Sequence, residues 1–115
     1  MLFRSSLNLT GSYTEGVVSI GNSGTTQTLS LANGTYQTVT LNNNCTFTMP
    51  SAVAGKSFIL AITQDGTGGR TATFTSVKWP AGTAPTITSD AYGTDLIAFF
   101  SNTTTWFGAS AQNFS

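Results

Sequence analysis

Ser57-Phe58-Ile59-Leu60-Ala61-Ile62-Thr63 is the stretch that decides the class of this fold. It is apolar almost without interruption, and at seven residues it suits a central strand buried on both faces better than a helix. Its closest counterpart is Thr94-Asp95-Leu96-Ile97-Ala98-Phe99-Phe100. Between and before these lie shorter segments that alternate with period two. Cys45-Thr46-Phe47-Thr48-Met49 is the cleanest, with Cys45, Phe47 and Met49 on one face and Thr on the other, and Pro50 ends it by removing a ladder donor.

Working outward, Val17-Val18-Ser19-Ile20 reads as a short strand closed by Gly21-Asn22-Ser23-Gly24. Residues 27–31 and 36–41 alternate on either side of Asn33-Gly34, which predicts a hairpin through a type I′ turn. Residues 64–70 form a Gly-rich loop read as a wide hairpin turn into Thr71-Ala72-Thr73-Phe74-Thr75, with Asp65 and Arg70 able to pair across its base. Thr86-Ile87-Thr88 is expected to be a brief edge strand, and residues 105–109 follow a turn at 101–104. About eight short strands at this spacing predict an all-β chain: an antiparallel, jelly-roll-like β-sandwich over residues 16–115, behind an extended N-terminal arm over residues 1–15. No internal repeat is evident. The expected core is Leu29, Leu31, Leu41, Phe47, Phe58, Leu60, Ile62, Phe74, Leu96, Ala98, Phe100 and Trp106.

Composition agrees with this class and narrows function. The 115 residues carry four basic and four acidic side chains, no His and one Cys. Thr alone is about a fifth of the chain, and its β-branched side chain fits a pleated, half-exposed face. Without His there is neither a Ser-His-Asp triad nor a His-based metal site, and no disulfide closes within one chain. A formal charge of zero opposes an electrostatic grip on nucleic acid. No segment reaches the ~18 apolar residues of a membrane span, and no signal peptide is visible. Cys45 reads as a small buried hydrophobe.

Two constellations invite a chemical reading and lose it on inspection. The residue 65–70 loop resembles a phosphate cradle, but a strand follows where a helix N-terminus is needed. Asp90 and Asp95 lie five apart, like a glycosidase pair, yet Asp90 sits in an ordinary turn and Asp95 begins a strand. No enzymatic activity, metal or cofactor is expected. Trp79 and Tyr92 stand out as aromatic candidates for a binding face.

From residue 63 onward the text resembles a module of tailed-bacteriophage virion proteins. The landmarks are Thr63-Gln64-Asp65-Gly66-Thr67-Gly68-Gly69-Arg70-Thr71, Val77-Lys78-Trp79-Pro80, Gly82-Thr83-Ala84-Pro85-Thr86, Asp95-Leu96-Ile97, Thr105-Trp106-Phe107-Gly108 and Gln112-Asn113-Phe114. The likeness reaches back to about Gln27. It implies a β-module closing tail-fibre or other appendage proteins, trimeric, with no catalytic residues. Because the chain starts at its own Met1 behind a short arm, a capsid decoration (cement) protein is the first expectation: a homotrimer on the capsid surface that bridges capsomers by binding the major capsid protein or other virion proteins. A tail-fibre tip or receptor-binding module is the alternative. The expected partner-binding residues are Leu2, Phe3, Arg4, Leu7 and Leu9 of the arm, with Trp79 and Tyr92 on the body. Nucleic acid and membrane are not expected partners.

Overall fold

A computed structural model describes residues 6–115. The expected contacts Leu2, Phe3 and Arg4 lie outside the described residues. The fold is all-β. Among the described residues nine strands follow in order: β1 (Val17–Asn22), β2 (Thr26–Thr28), β3 (Tyr36–Leu41), β4 (Cys45–Thr48), β5 (Ser57–Gln64), β6 (Ala72–Phe74), β7 (Val77–Lys78), β8 (Thr94–Ser101) and β9 (Trp106–Phe114). They form a six-stranded sheet, ordered β1-β3-β5-β8-β9-β7, and a three-stranded sheet, ordered β2-β4-β6.

The connectivity differs from the expected antiparallel sandwich. Strands β1, β3 and β5 run parallel to one another, as do β2, β4 and β6, and β7 runs parallel to β9. Only β5–β8 and β8–β9 pair antiparallel among the described residues. The chain winds three times, each coil laying one strand on the large sheet and the next on the small one. An antiparallel β8–β9 hairpin then extends the large sheet. Asn33-Gly34 therefore makes no hairpin. Residues Leu31–Asn33 form a single 3-10 turn, capped by the Ser30 hydroxyl, and Gly34 leaves it at φ 94°. The glycine supplies the positive φ that the motif announces, but it steers the chain into the next coil. The residue 64–70 loop likewise turns a corner between sheets, since β6 pairs with β4 and not with β5.

Two sets of residues hold the coils in register. In the small sheet Thr26, Thr46 and Thr73 align, with Gln27, Phe47 and Phe74 beside them. A Thr-x-Thr triplet thus recurs in each coil, the structural repeat that the sequence reading missed. At the corners, the Asn42 side chain accepts the Gly24 N–H at 2.9 Å and the Asn44 side chain accepts the Thr71 N–H at 3.0 Å. The polar run Asn42-Asn43-Asn44 is thus clamped to the coil on each side. Such side-chain acceptors satisfy corner backbone that no ladder reaches.

The core lies between the sheets. Leu29, Val39, Leu41, Phe47, Phe58, Leu60, Ile62, Ile97, Phe99 and Trp106 are buried there. Phe47 stacks on Phe74 at 5.0 Å, Phe74 meets Phe99 at 5.3 Å, and Phe58 meets Trp106 edge-on at 5.4 Å. Leu31 and Phe74 are partly buried against this cluster.

Three expected core residues point the other way. Ile97 and Phe99 are inside, while Phe100 is 57% exposed, Ala98 is exposed and Leu96 is half-buried. Both phases of β8 are apolar, so alternation cannot choose between them. Asp95 chooses: its carboxylate turns inward to accept backbone N–H groups, and period two then carries 97, 99 and 101 inward with it. Strand β5 is central as expected, with one face fully buried; on the other Ala61 is buried but Ile59 is 38% exposed.

Candidate functional site

The charged residues of the body are few, and their positions show what they do. Asp95 is fully buried. Its two oxygens accept the Thr88 N–H at 2.7 Å, the Asn113 N–H at 2.9 Å and the Gln112 amide at 3.2 Å. Burial by itself raises a carboxyl pKa, but these donors outweigh it and hold Asp95 below the usual carboxylate range. Beside it, buried Gln64 donates to the Arg70 and Thr88 carbonyls and accepts the Arg70 N–H at 3.1 Å. Residues 86–88 form no strand, contrary to expectation, because Gln112, Asp95 and Gln64 take their backbone groups instead.

Asp65 and Arg70 pair as expected, at 3.1 Å across the loop base. The Arg70 hydrogen bond, helped by the Gly68 and Thr67 N–H groups, lowers the Asp65 pKa. The loop's Asp65 therefore accepts from its own backbone and its own arginine. Asp90 lies exposed in the turn before β8 while Asp95 is enclosed, so the two carboxyls do not face a common cleft. Burial pushes the Cys45 thiol pKa up, which keeps it protonated and a weak nucleophile. Among the described residues no cluster of three or more His, Cys, Asp or Glu gathers to hold a metal ion, and no helix is long and apolar enough to cross a membrane.

The large exposed side chains lie elsewhere. On the arm, Leu7 is 83% exposed, and Leu9 and Tyr13 are also exposed. On the body, Tyr92 is 74% exposed, with φ 61°, standing over the 65–70 loop near Gly66. Trp79 is different. It is half-buried, edge-on to Phe74 and Phe99 at 5.8 and 6.0 Å, and its free rim lines an open cleft of about 460 Å³ with Pro80, Pro85, Thr86 and Gln112. The structure thus sets Trp79 and Tyr92 on separate features. Trp79 serves the core as much as any ligand.

Gly108 makes room for Trp79: a Cβ there would collide with the indole ring. Gly108→Ala should displace the ring and destabilise the domain by about 1–3 kcal/mol, as overpacking does. A red shift of tryptophan emission with an earlier urea midpoint is the expected reading; unchanged values of both contradict the packing described.

The residues that sequence reasoning overlooked lie on the outer face of the large sheet. Phe100 stacks on Phe107 at 5.2 Å there, beside Ile59, Leu96, Ala98, Ala109 and Ala111. The available signal was the second apolar phase of β8.

Comparison with known proteins bears on this sparsely charged body. No curated protein and no solved structure matches the chain. A family model described as "Putative phage tail fibre C-terminal domain" matches residues 18–106, from the first strand of the first coil to the start of β9. The match covers all three coils and the β8 strand that closes the core, and on it the chain belongs to the phage tail fibre C-terminal domain family.

Proposed function

We propose that this protein is a non-catalytic, homo-oligomeric binding module of the phage virion, set at the end of a tail fibre or comparable appendage. The observation that carries the reading is the family match over residues 18–106. The internally bonded Asp65 and Asp95 and the sparsely charged surface with its exposed apolar side chains support it, since both suit adhesion to other polypeptides or to glycans. In this reading Tyr92 is the foremost receptor contact, because an exposed aromatic ring offers large contact area at low entropic cost. Trp79 contributes the wall of a separate cleft.

The test is adsorption. Tyr92→Ala should weaken binding of the purified protein to host cells about tenfold, a loss of ~1.4 kcal/mol, without changing the unfolding midpoint. Wild-type protein that ignores host cells removes the receptor role.

A second reading, capsid decoration, is favoured by the arm. Leu7, Leu9 and Tyr13 are exposed on residues that form no strand, a form suited to lying in a groove of a neighbouring subunit. Here Leu2, Phe3 and Arg4 would join them. Deleting residues 1–10 should then abolish attachment to particles while the β circular dichroism persists. Localisation by imaging on intact particles separates the two readings: tail tip for the first, shell for the second.

A further inference from the structure

The six-stranded sheet turns one face to the core, and among the described residues no strand covers the other, where Ile59, Ala98 and Phe100 are exposed and Ala61 is buried between its neighbours. The strand registers arrange that outer face in rows. Ser57, Phe100 and Phe107 share one row; Val17, Tyr36, Ile59, Ala98 and Ala109 share the next; Ser19, Thr38, Ala61, Leu96 and Ala111 share a third. None of these residues is charged. A monomer seldom leaves so broad an apolar surface open, and a contiguous one marks a contact site.

Two charges flank the face, and they are opposite. Glu15 lies beside the Ser57–Phe100 end, with Thr35 and Ile59. Lys78 lies on the far side of the same row, next to Phe107 with which its strand is in register. Both are exposed, and no ion pair joins them within the chain; the Asp65–Arg70 pair is the one found among the described residues.

We propose that this face is covered by further copies of the same chain, packed about an axis parallel to the strands. Such an axis keeps rows at equal height. The Phe100 rings of the copies then meet in one layer and the alanine rows in the next, while Glu15 of one copy reaches Lys78 of its neighbour. The small residues Ala98, Ala109 and Ala111 let the sheets approach closely, and the Phe100–Phe107 stack fills one end. The occupant is a second copy because the face supplies both halves of the charge match itself. This deepens the homo-oligomeric part of the proposed function by assigning it a surface, and it stands whether the assembly binds cells, shell or neither.

The experiment is the solution mass of the full chain by sedimentation at micromolar concentration, with circular dichroism as the check on folding. Wild type should sediment as an oligomer. Ala98→Arg should sediment as a monomer with the same spectrum, because it places a cation in the middle of the contact. Glu15→Lys and Lys78→Glu should each weaken association, and the double exchange should restore it. Should Ala98→Arg unfold, Ala98→Cys replaces it: mild oxidation should link copies through residue 98, with Cys45 buried and unreactive. A monomeric wild type, an oligomeric and folded Ala98→Arg, or no crosslink overturns the assigned face. A double exchange that fails to restore association overturns the axis. Normal oligomers that bind no host cell and no particle would instead sink the proposed function and leave this face standing.

Discussion

Asp95→Ala should lower the unfolding free energy by about 2–5 kcal/mol, a large share of the ~5–15 kcal/mol available to a domain. The substitution removes the only acceptor that the Thr88 and Asn113 N–H groups have in the hydrogen-bond network described here. A hydrogen bond to a charged acceptor contributes about 1.5–3 kcal/mol, and the half-buried Thr88 N–H loses its partner outright. The side chain also ties three separate pieces of chain together: the loop before β8, β8 itself and the end of β9. Its protonation should have a related effect in acid. The carboxyl is held below its ordinary value by those N–H groups despite burial, so the folded pKa lies under the unfolded value of about 3.9. The stabilisation is then complete above about pH 4 and is lost as the pH falls through the lower, folded value. Wild type should therefore lose stability below pH 4 more steeply than Asp95→Ala, with Asp65, whose pKa is also lowered, supplying the slope common to both. Urea titrations at a series of acidic pH values measure this. Equal slopes, or a loss under about 1 kcal/mol at neutral pH, would refute the assigned role.

The second large effect concerns the coils. Phe47→Ala should cost about 3–5 kcal/mol, the range for emptying a buried aromatic site. Phe47 has no solvent exposure, stacks on Phe74, and lies in register between Gln27 and Phe74. Its backbone carbonyl accepts the Thr75 N–H at 3.0 Å, and its neighbour Thr48 accepts the Leu29 N–H at 2.9 Å. Hydrogen exchange at Leu29 and Thr75 should accelerate together, since the three small-sheet strands share one layer of side chains. Exchange that rises at one coil only would show that the coils open separately. Phe100→Ala, made in the Ala98→Arg background to remove association, supplies the contrast. That ring faces outward, so the monomer should lose less than about 1 kcal/mol. A loss as great as that of Phe47→Ala would put Phe100 back in the core.

Much of the fold was legible residue by residue. The alternation at Cys45, Phe47 and Met49 identified an inward face that the structure keeps, because only one phase there is apolar. The strand ends at β5 and β8 were readable from composition and turn residues. Asp65 and Arg70 were recognisable as partners because a short Gly-rich loop brings its own ends together. Pairing was not legible. Strands 27–31 and 36–41 look like a hairpin around Asn33-Gly34, since local geometry is all that short-range signals report. The bonds from Asn42 to Gly24 and from Asn44 to Thr71 span 18 and 27 residues, and they favour winding over folding back. The Thr-x-Thr triplets at 26–28, 46–48 and 73–75 carried the same information, but their unequal spacing hid the repeat. Of the candidate site, Tyr92 was readable as a free aromatic; the division of Trp79 between core and cleft was not.

The amino-acid sequence alone determined the all-β class, the inward face of β4, and the exclusion of His-dependent catalysis, because these follow from which side chains exist and how they alternate. Only the tertiary structure decided that the strands wind in parallel coils, which phase of β8 turns inward, and which apolar surface is left for other molecules. Those choices depend on bonds between residues far apart in the chain. Asp95 shows the reason most directly: one buried carboxylate, satisfied by donors 7 and 18 residues away, rotates Phe99 into the core and leaves Phe100 facing out.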